Sequence, residues 1–190
     1  MYEYISGKLS MLTAATAVLD CGGVGYLLEI SLNTYSAIQE KEEVKLWVHE
    51  VIREDAHLLY GFYSTAEREM FRLLLGVSGV GAATARMMLS SLSVEELSNA
   101  IASQDAKLVQ RVKGVGAKTA QRIVLELQDK VSGMGVAVSA AAPAVSRNKE
   151  EALGALVMLG FPKAAADKVL QGLDNSLSVE GLIKEALKRL

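Results

Sequence analysis

Gly79-Val80-Gly81-Ala82-Ala83-Thr84-Ala85 returns 35 residues later as Gly114-Val115-Gly116-Ala117-Lys118-Thr119-Ala120. The same offset pairs Val77 with Val112 in front and Leu89 with Val124 behind, so one structural unit is used twice. An apolar run of helical spacing precedes each copy and another follows it. Two glycines around one apolar residue permit a tight reversal that leaves peptide N–H groups bare at the start of the next helix. Such a start carries partial positive charge and suits a phosphate. A plain turn between packed helices would explain a single copy equally well; the duplication favours the anion-binding reading. A P-loop fits less well, because Ala117 separates Gly116 from Lys118, and a dinucleotide fingerprint fails on glycine order.

This is the spacing of the helix-hairpin-helix pattern, which grips a nucleic-acid backbone without reading bases. Charge agrees with it. The net charge of −2 hides a split: residues 1–63 hold four Lys and Arg against nine Asp and Glu, while 64–131 hold nine against seven. From Ala106 to Leu125, Lys107, Arg111, Lys113, Lys118 and Arg122 occur with no acid between them. A solvated helix face usually mixes signs, so this run favours phosphate.

The first 63 residues read as five short strands, Tyr2–Leu9, Thr16–Asp20, Tyr26–Ile30, Val44–Arg53 and His57–Tyr63, with a small helix capped by Asn33 and running through Ile38. That order is the one found in an oligonucleotide-binding barrel. Eight of the ten aromatics lie here, and in so acidic a segment core packing is the favoured use for them over base stacking. Glu54 and Asp55 sit at the tip of the last hairpin. Paired acids are ordinary turn formers; in a chain that binds phosphate they would also repel backbones and keep strands apart.

Ser64-x-x-Glu67 and Ser93-x-x-Glu96 are capping boxes. They open helices with Met70, Phe71, Leu74 and Leu75 inward, then Leu97, Ala100 and Ile101; the partner helices are Thr84–Leu92, Ala106–Val112 and Thr119–Val131. Residues 132–147 lack periodicity and read as a flexible tether. Residues 148–190 read as three helices, the first capped by Asn148-x-x-Glu151 and ending near Leu159, the others near Ala164–Leu173 and Ser178–Leu190. Its apolar content is either all core or partly a docking patch.

One cysteine, Cys21, and two histidines argue against a disulfide or a metal centre, and no cofactor is expected. The longest uncharged apolar run, Ala152 to Phe161, is half a membrane span, and the N-terminus lacks a signal-peptide layout, so a cytoplasmic protein without a membrane role is expected. No nucleophile–base set suggests catalysis.

Taken in order, the acidic barrel with Gly22-Gly23-Val24-Gly25-Tyr26, the stretch Arg53-Glu54-Asp55-Ala56 through Leu59-Tyr60-Gly61-Phe62, the two hairpins, the linker and Leu159-Gly160-Phe161 resemble the RuvA family, bacterial proteins that bind four-way Holliday junctions. The resemblance implies a multidomain α+β chain. Its parts would be a barrel (1–63), a tandem helix-hairpin-helix domain (64–131), a linker (132–147) and a three-helix domain (148–190). It implies a homotetramer, or an octamer of two face-to-face tetramers, on an open square-planar junction, with Glu54 and Asp55 as a central acidic pin. It assigns backbone contact to Gly79, Val80, Gly81, Thr84, Gly114, Val115, Gly116, Lys118, Thr119 and Arg122. It also implies a RuvB-type hexameric ATPase as partner, bound through Leu156, Leu159, Phe161 and Leu187, and extends the partner set to a RuvC-type resolvase. Members often carry a proline and a basic residue after the first hairpin where this chain has Ala82 and Ala83; Arg86, one turn on, is the candidate substitute. The alternatives are a helix-hairpin-helix subunit of a nuclease or repair complex and a protein-only adaptor, since the last bundle also resembles ubiquitin-associated folds.

Overall fold

The computed structural model describes residues 1–132, 144–174 and 177–189, and the chain divides into two compact units, Met1–Val138 and Ser139–Leu190. Most of the expected tether lies outside the described residues.

Five strands form a closed barrel in the order β1-β2-β3-β5-β4: β1 (Tyr4–Leu12), β2 (Thr16–Cys21), β3 (Val24–Ile30), β4 (Glu43–Ile52) and β5 (His57–Phe62). Neighbours are antiparallel except β3 and β5, whose parallel seam is two residue pairs long, Glu29 with Tyr60 and Ile30 with Gly61. Alternation explains the interior: Val44, Leu46 and Val48 on β4 and Ala17 and Leu19 on β2 point inward with Ile5, Leu28 and Ile30. Helix α1 (Leu32–Ile38) adds Ile38 to that core. Its cap is Ser31 rather than Asn33, because the Ser31 hydroxyl accepts from the Thr34 N–H at 3.0 Å while the Asn33 amide is used elsewhere.

The helical set packs on the outside of β5. Tyr60 and Phe62 meet Phe71 of α2 (Thr65–Leu75), with ring centroids 5.0 and 4.9 Å apart, and join one continuous apolar core with α3 (Ala82–Ser91), α4 (Val94–Ala102), α5 (Ala106–Gln110) and α6 (Ala117–Ser132). The aromatics of the barrel are therefore divided: these two are core, while Tyr2, Tyr4 and Tyr63 remain exposed, with Lys45 Nζ 3.9 Å from the Tyr4 ring centroid and 4.5 Å from that of Trp47.

The two expected capping boxes part company. Ser93 and Glu96 cap each other reciprocally at α4. Ser64 caps α2, but the Glu67 side chain turns away into the barrel interface, where it is 4 % exposed and accepts from the hydroxyls of Ser31 and Thr34, the latter at 2.7 Å. Arg68 beside it is also buried and pairs with Glu3 at 2.7 Å.

In the second unit, α7 (Ala144–Met158), α8 (Lys163–Gln171) and α9 (Val179–Leu187) enclose Ala152, Leu156, Ala166, Leu170, Leu173, Leu182 and Ala186. Helix α7 begins four residues before Asn148, inside the expected tether, so Asn148 is no cap; its amide instead donates to the Leu177 carbonyl at 3.3 Å. The end of α7 turns through Gly160 at φ 97°, with Phe161 N–H returning to the Leu156 carbonyl and Gly160 N–H to that of Val157.

Candidate nucleic-acid interface

The two hairpins superpose in their chemistry as well as their sequence. Gly79 and Gly114 both have φ 92°, a left-handed conformation that an L side chain resists. The following valine folds back in each: Val80 N–H donates to the Val77 carbonyl at 3.0 Å and Val115 N–H to that of Val112 at 3.1 Å. Val80 and Val115 are both buried, so each turn is pinned into the core by its middle residue while its two glycines stay at the surface. The turns are neighbours: Thr119 Oγ1 lies 3.8 Å from where a Cβ on Gly79 would stand. Thr84 and Thr119, each in the first turn beyond its hairpin, are half-buried.

The second glycine of each pair poses a different question. Gly81 has φ −93°, which any residue adopts, and a Cβ on Gly81 or Gly116 would meet nothing within 4 Å. Neither strain nor crowding inside the chain calls for glycine there, and the lack of a side chain leaves the backbone open to close approach. Capping points the same way. α1, α2, α4 and α9 open on serines and α5 on Asp105, each with a side-chain oxygen accepting from the first turn. α3 opens on Gly81, which offers no such oxygen, so its first-turn N–H groups have no side-chain cap. α8, opening on Pro162, likewise has no side-chain cap.

The cations are distributed unequally. Lys107, Arg111, Lys113, Lys118 and Arg122 are all exposed around the second hairpin, and among the described residues none of the five is in an ion pair. Lys118 and Arg122 lie four apart on the outer side of α6, whose inner side carries Ala120, Ile123, Val124 and Leu127. Arg86 is a correction. It does not extend to the surface beside the first hairpin but turns to the barrel, with Nη1 2.6 Å from Glu29 Oε2 and donating to the Ala15 carbonyl at 2.9 Å. Arg72 and Arg86, on the helices that enter and leave the first hairpin, are thus both committed to ion pairs, unlike the cations of the second.

Glu54 and Asp55 are exposed at the tip of the β4–β5 hairpin, beyond the last register pair, Ile52 with His57; Arg53 N–H to the Ala56 carbonyl, 2.8 Å, closes the turn. At the base of the tip His57 Nε2 lies 2.6 Å from Glu50 Oε1.

In the second unit Leu156 is a second correction: it is fully buried at the centre of the bundle and offers no surface. Phe161 is half-buried against that core. Leu159 and Leu187 are exposed, and with them Val157 and Met158, the latter 91 % exposed; sequence reasoning missed these two, although the unbroken run Leu156-Val157-Met158-Leu159 contains more apolar positions than one helix face can bury. Sequence reasoning gave Glu67 only a capping role and did not single out Arg68 or Glu29. No helix of the described residues is long and apolar enough to cross a membrane, and among them no cluster of three His, Cys, Asp or Glu could hold a metal ion.

Comparison with known proteins assigns all three segments. Residues 1–61 match the family model for the RuvA N terminal domain, 71–129 the SAM-like helix-hairpin-helix tandem, and 147–190 the RuvA C-terminal domain. Proteins named Holliday junction branch migration complex subunit RuvA are similar over the whole of both chains, at 51 % identity in Bacteroides thetaiotaomicron, 50 % in Parabacteroides distasonis and 46 % in Christiangramia forsetii. With that identity sustained from end to end and two of its segments matching RuvA-specific models, the chain belongs to the RuvA family.

Proposed function

We propose that this chain is the DNA-holding subunit of a Holliday junction branch migration complex. Its relatives are named as subunits of that complex; in this reading the chain contributes grip and geometry, while force comes from a RuvB-type hexameric ATPase. The observation that carries the reading is the placement of sign within one compact unit: two adjacent Gly-Val-Gly turns with surface glycines and five exposed cations outside any ion pair, and a separate carboxylate tip on the barrel.

The hairpins engage one duplex arm each subunit through backbone phosphates. Gly79, Gly81 and Thr84 contribute N–H dipoles, as do Gly114, Gly116 and Thr119, while Val80 and Val115, their own N–H groups turned inward, hold the turns in shape, and Lys118 and Arg122 add charge. Such contacts do not depend on sequence, which suits a crossover that migrates. Four copies around a four-fold axis bring four Glu54–Asp55 tips to the crossover, where eight carboxylates repel phosphates and hold the arms apart in a plane. The exposed residues Leu159 and Leu187 and the half-buried Phe161 would contribute to motor docking by the second unit. A second tetramer or a RuvC-type resolvase would occupy the opposite face of the DNA.

The test is competition between a synthetic four-way junction and a linear duplex of equal length, for the unaltered chain and for Glu54→Gln with Asp55→Asn. The unaltered chain should prefer the junction regardless of sequence, and the double variant should keep its fold but lose much of that preference. Equal affinity of the unaltered chain for both substrates would overturn the reading.

A further inference from the structure

The barrel holds the helix that leaves the first hairpin at two places along its length. Near the middle of α3, Arg86 Nη1 bridges Glu29 Oε2 on β3 at 2.6 Å, the Ala15 carbonyl at 2.9 Å and the Ile30 carbonyl at 3.5 Å. At its end, the Asn33 amide on α1 donates to the Leu89 and Leu92 carbonyls at 2.6 and 3.0 Å, and Leu32 N–H donates to Ser90 Oγ at 3.1 Å. The first hairpin is thus bonded to the same barrel whose opposite connection carries Glu54 and Asp55. The Arg86 and Glu29 side chains are 26 and 29 % exposed, so their pairing is partly shielded from water. Turning Arg86 toward a phosphate would take from Glu29 its cation and leave the Ala15 carbonyl with the Ile30 N–H alone.

We infer that Arg86, acting with Glu29, is a positioning residue that fixes the angle between the first hairpin and the acidic tip, and so sets the discrimination between a four-way junction and a linear duplex. The inference rests on the function proposed above. A linear duplex needs only the hairpins, whose local geometry is kept by Val80 and Val115 in the core. A junction also needs each arm to leave the centre at a fixed angle. Loosening the Arg86 fastening therefore affects the second substrate class and spares the first.

The experiment measures affinity of the full chain for both substrates across a salt series, for the unaltered protein, Glu29→Gln and Arg86→Met, with thermal unfolding as a check on each. Glu29→Gln keeps the shape of the side chain and decides the matter even if Arg86→Met folds poorly. Junction affinity should fall about fivefold in each variant, the scale of one partly exposed ion pair, with duplex affinity and its salt slope unchanged. If Arg86 instead touches phosphate, Glu29→Gln would free it and tighten binding to both substrates, and Arg86→Met would lower the duplex salt slope by about 0.9; either result overturns the inference. Preserved junction preference in both variants overturns it too. A lack of preference in the unaltered chain would sink the junction reading itself and the inference with it, whereas loss confined to the variants supports both.

Discussion

Replacing Lys118 and Arg122 together by alanine should flatten the salt dependence of DNA binding by an amount the structure lets one calculate. Both side chains are exposed, stand on the same outer face of α6 and have no carboxylate to lose, so the change removes the two proposed phosphate partners without disturbing an ion pair. Each phosphate neutralised on B-DNA contributes about 0.9 to the slope of log K against log salt, so two contribute about 1.8 for each engaged hairpin. Between 50 and 200 mM salt that amounts to about tenfold less weakening per hairpin than the unaltered chain suffers. A short linear duplex that accommodates one or two subunits gives the cleanest reading, because four engaged copies multiply the effect. Titration by fluorescence anisotropy at four or five salt concentrations is sufficient. The slope should not vanish, since Lys107, Arg111 and Lys113 remain. An unchanged slope alongside weaker binding would mean that neither cation meets a phosphate and that the placement of the interface on the second hairpin is wrong.

Three other outcomes test separate parts of the structure. Gly114→Ala should cost about 1–2 kcal/mol of stability in urea unfolding because φ 92° is forced on an L side chain, whereas Gly116→Ala should leave stability nearly unchanged and weaken DNA binding, by obstructing the approach of the backbone. Leu156→Ala should destabilise the second unit by about 2–5 kcal/mol, while Leu159→Ala should leave its unfolding unaltered and reduce stimulation of a RuvB-type ATPase; equal effects on stability would contradict the burial of the first and the exposure of the second. Burial raises the Glu67 carboxyl above its ordinary value, with the hydroxyls of Ser31 and Thr34 pulling the other way. The folded chain thus holds this proton more tightly than the unfolded one. Stability of the native chain relative to Glu67→Gln should therefore decline as pH rises from about 4.5 through the raised value, then level off; parallel curves would refute it.

What the sequence disclosed and what it withheld divide along a physical line. The paired hairpins, the strand order and the Ser93–Glu96 box were legible because each is written in residues a few positions apart. Glu67 looked like the second half of a capping box by the same local logic, and the local logic lost: Ser31 and Thr34, more than thirty residues upstream, offer a buried carboxylate two hydroxyls. Arg86 was misplaced for the same reason, since Glu29 is distant in the chain and adjacent only once the barrel has closed. Asn33 is a residue type that caps helices, but α1 starts at Leu32 and Ser31 caps it, leaving the Asn33 amide to bind α3. Leu156 failed differently. Four consecutive apolar residues at the end of α7 reveal that some must be exposed, and only the packing against Leu170 and Leu182 decides which.

The valine at the centre of each glycine pair has an effect on the thermodynamics of association. Val80 and Val115 are seated among helices in the chain by itself, so if these turns dock DNA as proposed they are already built when it arrives. Calorimetry of the hairpins on a duplex should then show a small heat-capacity change, an entropy gain from expelled counterions, and an association rate governed by diffusion and salt rather than by a slow ordering step.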